Sequence, residues 1–348
     1  METEILHISS TMDTDKIKKA ANALQEGKLV VFPTETVYGL GADGRYQETV
    51  DKIFKAKGRP GDNPLILHVG REEQVEELVL EIPQAAKDCM IMFWPGPLTI
   101  IFNKNPDVPE NVTAGLDTVA IRMPSHPIAE AILKEANIPV AAPSANVSGR
   151  PSPTKVDHVK EDLMGKVDMI VDGGITDVGI ESTVLDVTVD PPMVLRPGSV
   201  TVEELKVLLG DVRMDEGLIQ AHSKKLPKSP GQKYKHYAPK AECVLFGGNL
   251  SNVAKEVNRR IKENPHKKIG VMATTETIEM YQGADLLLNM GSRTDLREVA
   301  HNIFDQLRYC DEEGMDYIYI EGFELTGMGA GIMNRLLKAC GGKVVLGL

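Results

Sequence analysis

The spacing of apolar residues switches between two periods along the first two thirds of the chain. From Asp13 to Glu26, Ile17, Ala20, Ala21 and Leu24 recur at steps of three and four and stop at Gly27. That pattern predicts an amphipathic helix closed by glycine. The run Leu29 to Phe32 is short, unbroken and apolar, and predicts a buried strand. Val50, Ile53 and Phe54 mark a short helix ending near Gly58, and PLILHV, from Pro64, reads as a strand. Helices are expected over residues 72–80, 84–93, 128–135, 155–163 and 202–209, and strands at LTIIF, TVAIRMP, IPVAAP, MIVDG, STVLDV and MVLRPG. STVLDV and MVLRPG stand too close for a crossover between them, so some pairs must be antiparallel and the sheet mixed.

The periodicity fades from Met214 to Pro239, where prolines, glycines and lysines dominate. It returns with CVLF, KIGVMA, ADLLLNM and YIYIEGF, each separated by helical spacing. The expected architecture is therefore α/β: a mixed twisted sheet with helices over 1–210, a long linker over 211–240, and a smaller α/β domain with a largely parallel sheet over 241–348. A length of 348 residues, more than one ordinary core holds, agrees with two domains.

Composition narrows the picture. The chain is 42% hydrophobic and 26% charged, as globular proteins are. No apolar run is long enough for a bilayer, and METEILHISS lacks the basic start and apolar block of a signal peptide, so a cytoplasmic protein is expected. Cys89, Cys243, Cys310 and Cys340 form no CxxC pair, which points to reduced core thiols rather than zinc ligands or disulfides. A net charge of −11 argues against coating nucleic acid non-specifically. Any basic site must be local, and from Gly217 to Ala241 there are lysines but no acidic residue.

Several stretches carry chemistry. FPTETVYGLG follows a strand with hydroxyls and glycines; Thr34, Thr36 and Tyr38 are expected to lie along an extended edge. In KAKGRPGDNPLILH, Lys55, Lys57 and Arg59 close a helix, where cations suit the helix dipole, and the neighbouring glycines and prolines permit close approach of a phosphate. Arg122 sits in an otherwise apolar strand and needs an anion, from the protein or from a ligand. PSANVSGRPSPT reads either as a loop of Asx turns or as a cradle of hydroxyls and N–H groups for a nucleotide. STVLD and MVLRPG add Ser182, Thr183 and Arg196, and SPGQKYKHYAP combines charge with Tyr234 and Tyr237. TGMGAGIMNRLLKA places glycines before a helix without dinucleotide spacing, so tight packing is the better reading. No GxSxG, HExxH or Walker A pattern occurs.

In order, PTETVYGLG, KGRPGDNPL, SANVSGRPSPT and STVLD resemble the catalytic domain of the YrdC/Sua5 family of threonylcarbamoyl-AMP synthases. SPGQKYKHYAP resembles the linker of its long, Sua5-type members, and GMGAGIMNRLLKA their Rossmann-like C-terminal domain. The resemblance covers nearly the whole chain. It implies L-threonine, bicarbonate and ATP as substrates, Mg²⁺ with the ATP, and L-threonylcarbamoyl-AMP plus pyrophosphate as products. A transferase would then carry the group to an adenosine beside the tRNA anticodon; direct tRNA binding stays open. By the same resemblance Thr36, His68, Arg122, Ser182 and backbone at Ala142 would contact threonine. Arg59, Asn63, Thr118, Ser144, Ser152 and Arg196 would contact ATP, with Tyr234 or Tyr237 covering the nucleotide. Lys57 and Arg59 would stand beside the reacting anions, and no metal ligand is identified. Two rivals are a non-catalytic RNA-binding module and a carbamoyl-transfer domain of the hydrogenase-maturation type. The second would carry CxxC zinc fingers, which the chain lacks.

Overall fold

The computed structural model describes residues 2–215 and 236–348. The chain divides into two compact units, Met1–Ser148 with Ser152–Tyr234, and Gly149–Pro151 with Lys235–Leu348.

In the first unit the strands are β1 (Glu4–His7), β2 (Val30–Phe32), β3 (Gly39–Asp43), β4 (Ile66–His68), β5 (Leu98–Asn103), β6 (Thr118–Arg122), β7 (Val140–Ala141), β8 (Met169–Asp172), β9 (Thr183–Asp186), β10 (Met193–Arg196) and β11 (Arg213–Met214). They form one mixed sheet in the order β1-β8-β2-β3-β7-β4-β6-β5-β9-β10-β11. β4 and β6 run parallel, while β9 and β10 pair antiparallel, as their closeness in sequence requires. The helices are α1 (Thr14–Gln25), α2 (Gln47–Lys57), α3 (Glu73–Leu78), α4 (Gln84–Phe93), α5 (Glu110–Thr113), α6 (Pro127–Ala136), α7 (Val156–Leu163) and α8 (Val202–Leu209). β1, β3 and α5 escape the sequence pattern. β1 fully buries only Leu6, and β3 is GLGAD, too poor in side chains to show a period. β11 opens the stretch read as linker and pairs with β10.

Alternation in the central strands separates two faces. Leu67, Ile100, Ile121, Ala141 and Leu185 join the large core against Val50, Ile53 and Phe54 of α2. The opposite face carries a small apolar cluster of Ile66, Ile101, Ala120, Val184 and Leu195. The site lies beside this second cluster.

The second unit holds β12 (Glu242–Phe246), β13 (Ile269–Ala273), β14 (Leu286–Asn289), β15 (Tyr317–Glu321) and β16 (Val344–Val345), with helices α9 (Leu250–Glu263), α10 (Leu296–Glu312) and α11 (Gly327–Ala339). Its sheet is parallel throughout, in the order β14-β13-β15-β12-β16. At the carboxyl ends of β13 and β15, Glu321 accepts from the Thr274 N–H and hydroxyl, the Tyr281 hydroxyl at 2.5 Å and Arg293 at 3.0 Å. These donors saturate the carboxylate and make the cluster a brace. Gly329 in α11 serves packing: a Cβ there would stand 2.2 Å from the Glu324 carbonyl oxygen. All four cysteines are free and buried. Among the described residues no helix is long and apolar enough to cross a membrane.

Candidate active site

The site is built on one row of residues across the sheet. His68 on β4 lies opposite Val140 on β7 and Arg122 on β6. Arg122 lies opposite Thr99 on β5, Thr99 opposite Val184 on β9, and Val184 opposite Arg196 on β10. Directly opposed residues project from the same face. Two buried guanidiniums, an imidazole and a hydroxyl thus share one face, at the carboxyl ends of the parallel pair β4 and β6. Ligands of open α/β sheets gather at such strand ends. A register shift in β10 between Val194 and Arg196 puts Arg196, rather than Leu195, opposite Val184. A bulge of this kind re-aims a side chain.

Three loops close on the row. Residues 33–38 form the loop of the β2–β3 hairpin, not the extended edge expected from FPTETVYGLG. Thr34 turns inward: its hydroxyl donates to the Val37 carbonyl at 2.6 Å and accepts from the Thr36 and Val37 N–H groups. A threonine hydroxyl that binds its own backbone competes with strand pairing, and here it wins. The Thr36 hydroxyl accepts from Arg122 Nη1 at 2.9 Å. The loop before β9 donates to this turn, from Val178 N–H to the Glu35 carbonyl and from Gly179 N–H to the Thr36 carbonyl. Tyr38 links the turn to the third loop: its N–H donates to the Pro153 carbonyl and its carbonyl accepts from Ala145. Gly41 lets the hairpin approach its neighbours, since a Cβ there would stand 2.7 Å from Phe32 and 2.9 Å from Val140.

Arg122 is 4% exposed. Its charge is met inside the protein: Nη2 lies 2.6 Å from Glu35 Oε1, and Nε donates to the Gly96 carbonyl at 3.3 Å. The anion that the sequence demanded is therefore present as Glu35, a residue that motif reading passed over. Its only sequence signal was a glutamate amid buried-looking hydroxyls.

Ser182 and Arg196 form a unit. Arg196 Nε donates to the Ser182 carbonyl at 2.9 Å and Nη2 to its hydroxyl at 3.0 Å; that hydroxyl also pairs with Thr99 at 2.7 Å. Gly198 permits this contact, because a Cβ there would stand 2.6 Å from the Thr183 nitrogen. Next to Ser182, Glu181 accepts the Ser152 hydroxyl. The structure thus joins Thr36, His68, Arg122, Ser152, Ser182 and Arg196.

Thr118 shares the face of Arg122, two rungs toward the start of β6, roughly 13 Å away at strand rise. Ala120 between them is small and leaves the floor open. The left-handed Gly58 ends α2 and turns the chain into GRPGDNP. There Arg59 Nη2 donates to the Asn63 and Pro64 carbonyls, at 2.9 and 3.2 Å. Asn63 is fully buried, and neither amide atom has a hydrogen-bond partner among the described residues. A buried amide left so is costly and marks a place for a ligand group.

Lys57, expected beside the reacting anions, is engaged with backbone. It is 3% exposed, and its ammonium donates to the Ser144 carbonyl and, at 2.6 Å, to that of Asn146. Helix end and loop are pinned together by a cation that bonds backbone. Ala142 spends its N–H on the Ile66 carbonyl at 3.0 Å, so that donor belongs to the sheet. Tyr237 is buried in the second unit with its ring centroid 5.2 Å from that of Phe304. Tyr234, the other candidate, lies outside the described residues.

Burial, and next the charge of Arg122, lower the His68 pKa from 6.5 to about 3. The ring is neutral in the folded site. An unfolded histidine takes up a proton near 6.5, whereas the folded one does so only near 3. Its contribution to stability is therefore complete above about pH 6.5 and is lost as pH falls toward 3. In NMR spectra the His68 ring signals should stay unchanged from about pH 8 to pH 5. A midpoint near 6.5 would place the ring in water instead.

Two anchored guanidiniums and neutral hydroxyls over a small apolar floor give this α/β protein a site suited to a compact, polar, anionic ligand. Family comparison gives that site its chemistry. Residues 22–198 match the Sua5, YciO and YrdC family model described as telomere recombination, and residues 200–341 match the model of the threonylcarbamoyl-AMP synthase C-terminal domain. The threonylcarbamoyl-AMP synthase of Bacillus subtilis (strain 168) is 46% identical over 331 residues, 95% of this chain and 94% of the relative. That of Pyrococcus abyssi (strain GE5 / Orsay) is 44% identical over 345 residues, 99% of each. The crystal structure of P. abyssi Sua5 complexed with L-threonine superposes with a TM-score of 0.93 at 44% identity, over 99% of this chain and 100% of that one. The chain belongs to the Sua5/YrdC family of threonylcarbamoyl-AMP synthases.

Proposed function

We propose that this protein makes L-threonylcarbamoyl-AMP and pyrophosphate from L-threonine, bicarbonate or its dissolved CO₂, and ATP. The observation that carries the reading is the shared row of Arg122 and Arg196 with Thr36 and Ser182 packed against it. The full-length likeness to a Sua5 solved with L-threonine supports it.

The reaction needs no nucleophilic side chain. The neutral threonine amine and CO₂ join as an N-carboxylate, and the proton lost from nitrogen passes to water. One of its oxygens bonds to the α-phosphorus of ATP while the bond to pyrophosphate breaks, a nucleotidyl transfer. The protein has to hold two anions together and neutralise the charge that develops between them. In this reading Arg122 takes the threonine carboxylate, with Thr36, the neutral His68 and Ser182 around the rest of the amino acid. Arg196 stands at the junction, braced on Ser182. Thr118, the Arg59–Asn63 turn, Ser144 and Ser152 flank the path of the nucleotide. Lys57 acts through the loop it pins and counts as a positioning residue.

Mg²⁺ would arrive with the ATP. Among the described residues no group of three or more His, Cys, Asp or Glu side chains could hold a metal. Phosphate oxygens and water, which Mg²⁺ prefers to keep, would supply its ligands. The product is a mixed anhydride and needs an acceptor enzyme, which supports hand-over to a tRNA-modifying transferase. The relatives' names favour synthesis over the RNA-binding alternative.

Incubation with ATP, threonine and bicarbonate should give pyrophosphate and an adenylate of the expected mass, and omitting any one substrate should abolish both. Pyrophosphate release independent of threonine would refute the assignment.

A further inference from the structure

The geometry points to Glu35 as the receptor for the α-ammonium of the amino-acid substrate, and so as the residue that selects an α-amino acid over a plain hydroxy acid. The inference rests on the threonine reading above.

Glu35 is 5% exposed. Its Oε1 lies 2.6 Å from Arg122 Nη2 but out of line with the N–H bonds, and neither carboxylate oxygen receives a hydrogen bond among the described residues. A buried carboxylate whose one ion-pair partner is misaligned keeps acceptor capacity for a further donor. The position is fixed from behind, because the Glu35 carbonyl accepts from Val178 and the next residue, Thr36, is tied to Arg122. The neighbouring buried carboxylate of Glu181 is already engaged by the Ser152 hydroxyl.

An α-amino acid carries its anion and cation on adjacent atoms. A side-by-side guanidinium and carboxylate is the complement of that pair. When the substrate carboxylate settles on Arg122, its ammonium is carried to within reach of Glu35, and each charge of the protein pair exchanges a poorly aligned partner for a bonded one. The same contact holds the nitrogen that attacks CO₂ once it has given up a proton to water, and it excludes ligands lacking that nitrogen.

Calorimetry on the full chain tests this with threonine and with 3-hydroxybutanoate, which is threonine without its amino group. Wild type should prefer threonine by at least about 10-fold, the value of one hydrogen bond to a charged group. Glu35→Gln should weaken threonine by about 10- to 100-fold and leave 3-hydroxybutanoate unchanged or tighter, since Arg122 is then uncontested. Glu35→Asp, which keeps the charge, should recover part of the preference. Unchanged threonine affinity in Glu35→Gln would overturn the assignment. So would an equal loss for both ligands, which would make Glu35 only a support for Arg122. If Glu35→Gln fails to fold, the wild-type comparison decides: equal affinity for the two ligands overturns the proposal. A wild type that binds neither would overturn this proposal and the threonine reading together.

Discussion

Replacing Arg122 by alanine should weaken threonine binding by roughly 2–5 kcal/mol, or about 30- to 4000-fold in Kd by calorimetry. The size follows from burial. A guanidinium held at 4% exposure beside Thr36 and Glu35 binds a carboxylate with little competition from water. The same change should also destabilise the first unit, because it strands Glu35 as a buried charge, at a cost of about 3–5 kcal/mol. The two effects separate in the double variant Arg122→Ala with Glu35→Gln. Thermal melting should show most of the lost stability restored, while threonine binding stays lost. If Arg122→Ala binds threonine with wild-type affinity, Arg122 is not the carboxylate site. If the double variant melts as low as the single one, the stranded-charge account fails.

Arg196→Ala should lower kcat by about 100- to 1000-fold, the usual loss when one preorganised donor to developing charge is removed. Arg196 braces both the carbonyl and the hydroxyl of Ser182, so KM for threonine should rise along with that for ATP. That coupling distinguishes it from a residue that touches nucleotide alone. Arg196→Lys should not rescue, because an ammonium cannot reproduce two parallel contacts from a planar fork. Steady-state pyrophosphate release, with each substrate varied in turn, measures all of this. Normal kcat in Arg196→Ala, or a change confined to the ATP KM, would dismiss the junction role.

Much of the fold was legible along the chain because its signals are local. The stripe Ile17, Ala20, Ala21, Leu24 becomes α1, and the short apolar runs become β2, β4, β5 and β6. The proximity of STVLDV to MVLRPG was enough to require an antiparallel pair. Of the strands that escaped, β1 and β3 carry residues that are exposed or small, so that no period records which face is buried. Side-chain duty was harder to read. Lys57 looks like a phosphate ligand from its turn and is occupied by two carbonyls across the domain. Tyr237 looks like a nucleotide cover from its linker motif and packs on Phe304.

Residue type and order therefore determined the mixed sheet, the family motifs and the need for an anion at Arg122, because periodicity and the cost of burying charge act wherever the residue is placed. Tertiary structure alone decided who answers that need. Only the register across β4, β6, β5, β9 and β10 lines up His68, Arg122, Thr99 and Arg196 on one face. One extra residue in β10 turns Arg196 into the row in place of Leu195, and one hairpin turn carries Glu35 to Arg122 across 87 positions of sequence. Strand pairing and loop closure are long-range events, and no local stretch of the chain encodes their outcome.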